Sequence, residues 1–220
     1  MTAARLVCIE GIDGAGKTSL VDAMLARQEK MGLRATRLHL PSLLESDLAD
    51  RAHGGDLRRL TEQELAFVSY SRLYDFYLTE MVPALDGHDL LLLDRFKWSF
   101  MVRWACRDVR WSVLTALGSI VGMLPEPALT ILLDADPFTA YRRKVDGKLT
   151  LTPAETLGRR SSQSAREAFV NLQTRACDYY QALFERSDPA GTTRINTKIG
   201  QAAVADEVEK LLRGLAWPVS

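Results

Sequence analysis

Short apolar runs alternate with stretches whose apolar residues recur three or four positions apart, and this alternation continues along the whole chain. The first run, Leu6-Val7-Cys8-Ile9, has the length and continuity of a parallel strand buried on both faces. In the stretch after it, Leu20, Met24 and Leu25 keep helical spacing until Gly32 ends the pattern. Positions 35–40 predict a second strand, stopped by Pro41, and 43–52 predict a helix broken by Gly54-Gly55. Thr61-Glu62-Gln63-Glu64 is a capping box, so a long helix follows, with Leu65, Val68, Leu73 and Phe76 inward and an end near Pro83. Leu90-Leu91-Leu92-Leu93 predicts a central strand, with Asp94 directly at its carboxyl end. Positions 97–121, rich in Trp and Met, read as one helical segment closed by Pro125 and Pro127, and 129–133 predict the next strand. Asp136-Pro137 opens another helix, with proline at the first helical position. A polar loop over 147–158, a long helix over 162–184, a short strand over 193–195 and a helix over 203–212 follow.

Five strands alternating with helices predict a mainly parallel, five-stranded sheet covered on both faces, a three-layer α/β/α sandwich. No repeat, low-complexity tract or Pro/Gly/Ser-rich linker divides the chain, so a single domain over 1–220 is expected. In such sheets ligands bind beyond the carboxyl ends of the strands.

The first strand end carries a pattern with a mechanism. Gly11-Ile12-Asp13-Gly14-Ala15-Gly16-Lys17-Thr18 fits G-x-x-x-x-G-K-[ST] between a strand and a helix, the context of a phosphate-binding loop. A glycine-rich turn points consecutive N–H groups into one concavity, and the helix starting near Thr18 adds its positive dipole end. A nucleoside triphosphate is the expected occupant, cradled by Gly11, Asp13, Gly14, Ala15, Gly16, Lys17, Thr18 and Ser19. Lys17 is expected on the β- and γ-phosphates and the Thr18 hydroxyl on Mg²⁺. Asp94, at the end of an all-leucine strand beside this loop, is the expected carboxylate for the metal. Asp136 is more simply a helix cap, because Pro137 follows it. Asp13 reads equally as a turn-former and as a second acid near the phosphates.

Composition narrows the partners. Lys+Arg and Asp+Glu both number 28, so no global positive field draws nucleic acid or an anionic membrane. Cys8, Cys106 and Cys177 are odd in number and far apart, which fits reduced structural thiols, with Cys8 facing the core. No signal-peptide pattern and no bilayer-spanning apolar stretch is visible, and a cytoplasmic protein is expected.

Four segments, in order and spacing, resemble the thymidylate kinase family. Glu10 to Thr18 is similar to the family's loop, and Ala66-Phe67-Val68-Ser69-Tyr70-Ser71-Arg72 to its L-L-F-A-A-D-R helix segment. Leu92-Leu93-Asp94-Arg95-Phe96 is similar to its strand followed by D-R-Y, and the stretch from Pro127 to Pro137 to its P-D-L-T-I-Y-L-D-V-D-P. The resemblance implies a P-loop NTPase-type sandwich with a lid segment over about 145–161, transferring the γ-phosphoryl of ATP to dTMP. It implies a catalytic set of Lys17, Asp13, Arg95 and Arg160, and a substrate side of His39, Phe67, Arg72, Arg95, Ser99 and Arg103. Arg72 and Arg95 would grip the acceptor phosphate through bidentate guanidinium contacts.

Ala15 stands where some family members carry arginine, so a lid arginine is expected to act: Arg159, Arg160 or Arg166, with Arg142, Arg143 and Lys144 on the other flank. The family forms symmetric dimers, and the apolar residues between Trp104 and Met123 could serve that contact.

The chain also departs from the family. His39 falls where arginine is usual, and after Asp94-Arg95 only Ser99 is kept from Y-V-x-S-S-x-x-Y-Q, with Phe100 and Arg103 replacing small or aromatic polar groups. These substitutions weaken thymine as the base and leave the acceptor's base preference open. Phe67, Tyr70 and Phe96 read more simply as core residues than as base-stacking ones. Trp98 and Trp104 fit either role. A kinase acting on a hydroxyl of a nucleoside or small metabolite, and a non-catalytic nucleotide switch, are the competing readings.

Overall fold

The computed structural model describes residues 5–40, 61–106, 109–147, 150–151, 155, 163–187 and 191–215. Strands β1 (Arg5–Glu10), β2 (Ala35–His39), β3 (Leu90–Asp94), β4 (Leu129–Asp134) and β5 (Thr192–Asn196) form one sheet in the order β2-β3-β1-β4-β5. Every neighbouring pair runs parallel, with Cys8 opposite Leu93 on one side of β1 and Thr130 on the other. The α/β architecture with a five-stranded parallel sheet is therefore the one the alternation of runs predicts.

Because side chains alternate along a strand, β1 feeds two cores. Val7 and Ile9 join Leu92, Ile131 and Leu133 beneath α1 (Lys17–Lys30), α7 (Ala165–Glu185) and α8 (Gln201–Gly214). Leu6 and Cys8 join Leu91 and Leu93 on the other face. That face is covered by α2 (Glu62–Phe76), α3 (Val82–Gly87), α4 (Lys97–Ala105) and α5 (Trp111–Gly122). Helix α6 (Pro137–Asp146) follows β4. With β1 central and the chain crossing to either side of it, the switch in direction opens at the carboxyl ends of β1, β3 and β4.

Several element bounds differ from the sequence pattern. The capping box Thr61 to Glu64 is formed, but the helix does not end at Pro83: α2 passes through a π-helical turn, Tyr77–Met81, into α3. Pro83 stands in the first turn after that π segment, where a missing N–H costs least. Positions 97–121 form two helices, because Arg110 turns extended and opens α5 anew. Helix α7 starts later than position 162: Ser164 accepts from the Glu167 N–H and Glu167 from the Ser164 N–H, a capping box that fixes the start. Asp136 caps α6, accepting from the Thr139 N–H at 2.7 Å. The helix expected at 43–52 and most of the lid segment, with Arg159 and Arg160, lie outside the described residues. Among the described residues no helix is long and apolar enough to cross a membrane.

Candidate active site

The loop leaving β1 takes a shape only glycine allows at two points. Gly11 (φ 139°) and Gly14 (φ 79°) both sit at positive φ, and an added Cβ would stand 2.7 Å from the Leu133 carbonyl oxygen and 2.5 Å from that of Ala140. The loop is thus pressed between β4 and α6, which fixes its amides. Lys17, the first residue of α1, is buried and donates from Nζ to the carbonyls of Gly11 (2.8 Å) and Ile12 (2.5 Å). Next to it, the Thr18 hydroxyl donates to Asp94 Oδ2 at 2.6 Å. Asp94 is buried at the last position of β3, and its Oδ1 has no partner among the described residues. His39 Nδ1, from the end of β2, lies 3.6 Å from Asp94 Oδ2.

Arg95 follows at φ 76°, a left-handed conformation uncommon for a side chain of its kind. Its backbone N–H donates to Ile9 at 3.1 Å, and the bend turns the guanidinium onto the Asp13 carboxylate. Asp13 is held from the other side by Gln173 of α7, which accepts from the Asp13 N–H (3.0 Å) and donates to Oδ2 (3.2 Å). Lys17 and Asp94 therefore lie close enough to Arg95 and Asp13 at the switch point for their charges to interact.

The charges act strongly on one another. Burial raises the Asp13 carboxyl, but Arg95, Lys17, Arg103 and Lys144 outweigh it and hold the group well below the usual carboxylate range. Burial likewise opposes the Asp94 charge, and the nearby His39 ring, the Thr18 hydrogen bond and the charge of Lys17 bring the group down to about 2. For Lys17, burial and then Arg95 win over the nearby acids and pull the ammonium down to about 7. Burial followed by Arg95 also lowers the Arg103 guanidinium.

Glu10, the last residue of β1, is buried and serves a helix on another strand's exit. Phe96 cannot cap α4 with its side chain, and Glu10 supplies the cap instead. Its carboxylate accepts from the N–H groups of Phe96 (3.0 Å), Trp98 (3.0 Å) and Ser99 (3.1 Å) and from the Ser99 hydroxyl. Ser99 Oγ in turn meets the Tyr180 hydroxyl at 2.8 Å. Ser99 is therefore a buried clamp between β1, α4 and α7. Phe96, Phe100 and Trp104 lie in the core on the face covered by α4, and Trp98 packs on the opposite core. Among the positions after Arg95 that depart from the family pattern, Arg103 is the one whose charge acts at Asp13.

Arg72, on α2, pairs with Asp75 at 3.4 Å, and its Nε is buried with no partner among the described residues. The Phe67 side chain lies outside those described. Arg166 stacks its guanidinium 4.6 Å over the Phe138 ring, so it is engaged on the outside of α6 and α7. Arg143 reaches from α6 to the Ala15 carbonyl (3.5 Å) and the Thr197 carbonyl (3.2 Å). It closes one wall of a cleft of about 170 Å³, open to solvent, that Ala15, Gly16, Ser19, Thr197 and Gln201 also line.

Sequence pattern alone did not single out Glu10 and Gln173. A charged residue closing a buried strand was a usable signal for Glu10. Gln173 had none, since an inward glutamine on a long helix looks like any other polar residue.

A parallel sheet with a glycine-rich loop, a buried lysine, a Thr-Asp pair and an arginine-clasped carboxylate at its switch point defines a P-loop phosphotransferase. A family model described as thymidylate kinase matches residues 9–181, and the chain belongs to that family. It is similar to a probable thymidylate kinase of Archaeoglobus fulgidus, 28% identical over 152 residues that cover 69% of this chain and 74% of that protein. A thymidylate kinase of Francisella tularensis subsp. novicida is 26% identical over 212 residues, 94% of this chain and 92% of its own. Membership makes the chain a nucleotide kinase, which phosphorylates a nucleoside monophosphate to the diphosphate at the expense of ATP.

Proposed function

We propose that this crevice transfers the γ-phosphoryl of ATP to the phosphate of a thymidylate-like nucleotide, with Lys17 on the donor side and Arg95 on the acceptor side. The observation that carries the reading is the shared carboxylate: Asp13 takes the Arg95 guanidinium and lies within the field of Lys17. Two polyanions approaching each other need cations on both flanks, since positioning and charge stabilisation supply most of this catalysis. An acceptor phosphate oxygen forms a bond to the γ-phosphorus, the bond from that phosphorus to the β,γ-bridging oxygen breaks, and the electron pair stays on ADP. The nucleophile is already anionic, so no protein base has to take a proton.

Arg95 and Arg72, whose buried Nε has a free hydrogen among the described residues, hold the acceptor phosphate. Arg103 supports that side, and Ser99 contributes by holding the start of α4 rather than by touching substrate. The donor base fits the cleft under Arg143. Thr18 and Asp94 suit Mg²⁺: both offer hard oxygens, Asp94 keeps a buried oxygen without a partner, and this ion is commonly held by one or two protein groups besides phosphates and water. When bound, it would neutralise charge on the β- and γ-phosphates. Arg160 remains the proposed lid arginine, and the protein is proposed to work in the cytoplasm.

A homodimer is also inferred, with a contact that narrows the stretch between Trp104 and Met123 to its exposed part and adds α2. Trp104, Leu117 and Val121 are core residues, whereas Tyr74, Leu78 and Met123 are exposed on and beside α2 and α5, which pack together.

Arg95→Ala tests the division of the site. The expected result is a loss of about 10²–10³-fold in kcat/KM for the acceptor with donor binding changed less than about threefold. Weakened ATP binding with unchanged acceptor saturation would reverse the assignment.

A further inference from the structure

Helix α6 lies directly on the phosphate loop. Ala140 is fully buried there, its carbonyl oxygen 2.5 Å from where a Gly14 Cβ would stand. Four residues on, Lys144 occupies the same helix face one turn further out. Its neighbour Arg143 reaches back to the Ala15 carbonyl, so this turn of the helix faces the loop. The Lys144 side chain is only 14% exposed, which is unusual for a lysine, and its ammonium pairs with the buried carboxylate of Glu155. Its charge is one of the four that act on Asp13, with those of Arg95, Lys17 and Arg103.

A buried lysine-glutamate pair costs desolvation on both sides and is a weak device for stability alone. At the mouth of a phosphate loop it has a use, because an ammonium is a compact charge on a flexible stem that can share itself between two anions. A terminal phosphate seated on the loop amides would be such a second anion, delivered to the face of α6 that Lys144 shares with Ala140.

We propose that Lys144 is a catalytic residue that contacts the γ-phosphoryl oxygens during transfer, and that Glu155 is the positioning residue that holds its ammonium at that place. Lys144 stays protonated throughout. It offsets the negative charge on the transferred group while the bond to ADP breaks and the bond to the acceptor oxygen forms. The chain thus carries a cation from α6 itself, latched from the segment after it. This role rests on the phosphoryl-transfer reading above.

Lys144→Met, Glu155→Gln and the double variant, each followed by ADP release at saturating donor and acceptor and by thermal unfolding, test the proposal. Lys144→Met should lose about 10²–10³-fold in kcat, with both nucleotide dissociation constants, measured by calorimetry, changed less than about threefold. Lys144→Arg should recover part of that loss. Glu155→Gln should lose roughly tenfold, through misplacement of the ammonium. The double variant should regain the unfolding temperature lost by Lys144→Met but not the turnover.

A pair serving only the fold gives the opposite pattern, with the double variant turning over within about threefold of the unaltered protein. That result, or full turnover by Lys144→Met, overturns the proposal. Should Lys144→Met fail to fold, the double variant carries the same comparison, since it removes both charges together. An unaltered protein that moves no phosphoryl group would sink the transfer reading itself.

Discussion

Lys17 sits where burial works against its own charge. Drawn down to about 7, its ammonium is largely deprotonated in the free protein at pH 8, and a triphosphate on the loop would restore the proton by supplying negative charge. The direction follows: the group is neutral before binding and cationic after, so binding takes up protons. Calorimetric titration of ATP at pH 8 in buffers of different ionisation enthalpy should show an uptake on the order of one proton. Lys17→Arg should abolish that uptake, because a guanidinium is charged in both states. No buffer dependence in the unaltered protein would contradict the role given to this side chain. Lys17→Ala should remove transfer by about 10²–10³-fold or more in kcat.

Helix α4 is held at its start by a residue from another element, so in the proposed reaction Glu10 is the point where β1 sets the acceptor side. Three backbone N–H groups and the Ser99 hydroxyl depend on one carboxylate, and the Arg95 bend lies directly before them. Glu10→Gln replaces one accepting oxygen by a donor facing donors, which should cost about 2–4 kcal/mol of stability. In the protein that remains folded, the acceptor KM should rise while ATP binding is kept. Unfolding midpoints and the two KM values check this, and equal losses on both substrates would place Glu10 outside the acceptor side.

This network also marks how far the residues could be read unaided. The strand runs, the capping box at Thr61 and the loop from Gly11 to Thr18 were legible because each is local: a strand, a cap or a glycine turn is written in consecutive positions. So was Asp94, a carboxylate with no structural excuse at the end of an apolar strand, which is found bonded to Thr18. What escaped was non-local. Glu10 capping α4, Gln173 holding Asp13 and Glu155 holding Lys144 join residues that only the fold brings together. Phe100 misled for the same reason, since helix phase turns it into the core, settles Trp104 there too, and leaves Arg103 nearer the site. The π turn at Tyr77–Met81 carried no sequence signal and let the helix pass Pro83.

In the proposed reaction the two halves of the site come from different elements: the donor side from the loop, α1 and α6, and the acceptor side from β3, α4 and α2. Its outer surface leaves Tyr74, Leu78 and Met123 exposed, the last at 79% of its full area. If these seat a second copy, light scattering should give twice the chain mass of 24.5 kDa at micromolar concentration, and Leu78→Lys should lower it to one. A single-chain mass for the unaltered protein would remove that inference.

The central claim is that an acceptor phosphate, and not a hydroxyl or water, receives the γ-phosphoryl. Incubation of the protein with Mg²⁺ and ATP labelled at the γ-phosphate, in separate mixtures with thymidylate, with thymidine and with no acceptor, followed by separation of the products, tests it directly. The account predicts label in the nucleoside diphosphate of the thymidylate mixture and neither labelled thymidylate nor free phosphate in the other two. Label appearing on thymidine's hydroxyl, or released as phosphate without any acceptor, would contradict it.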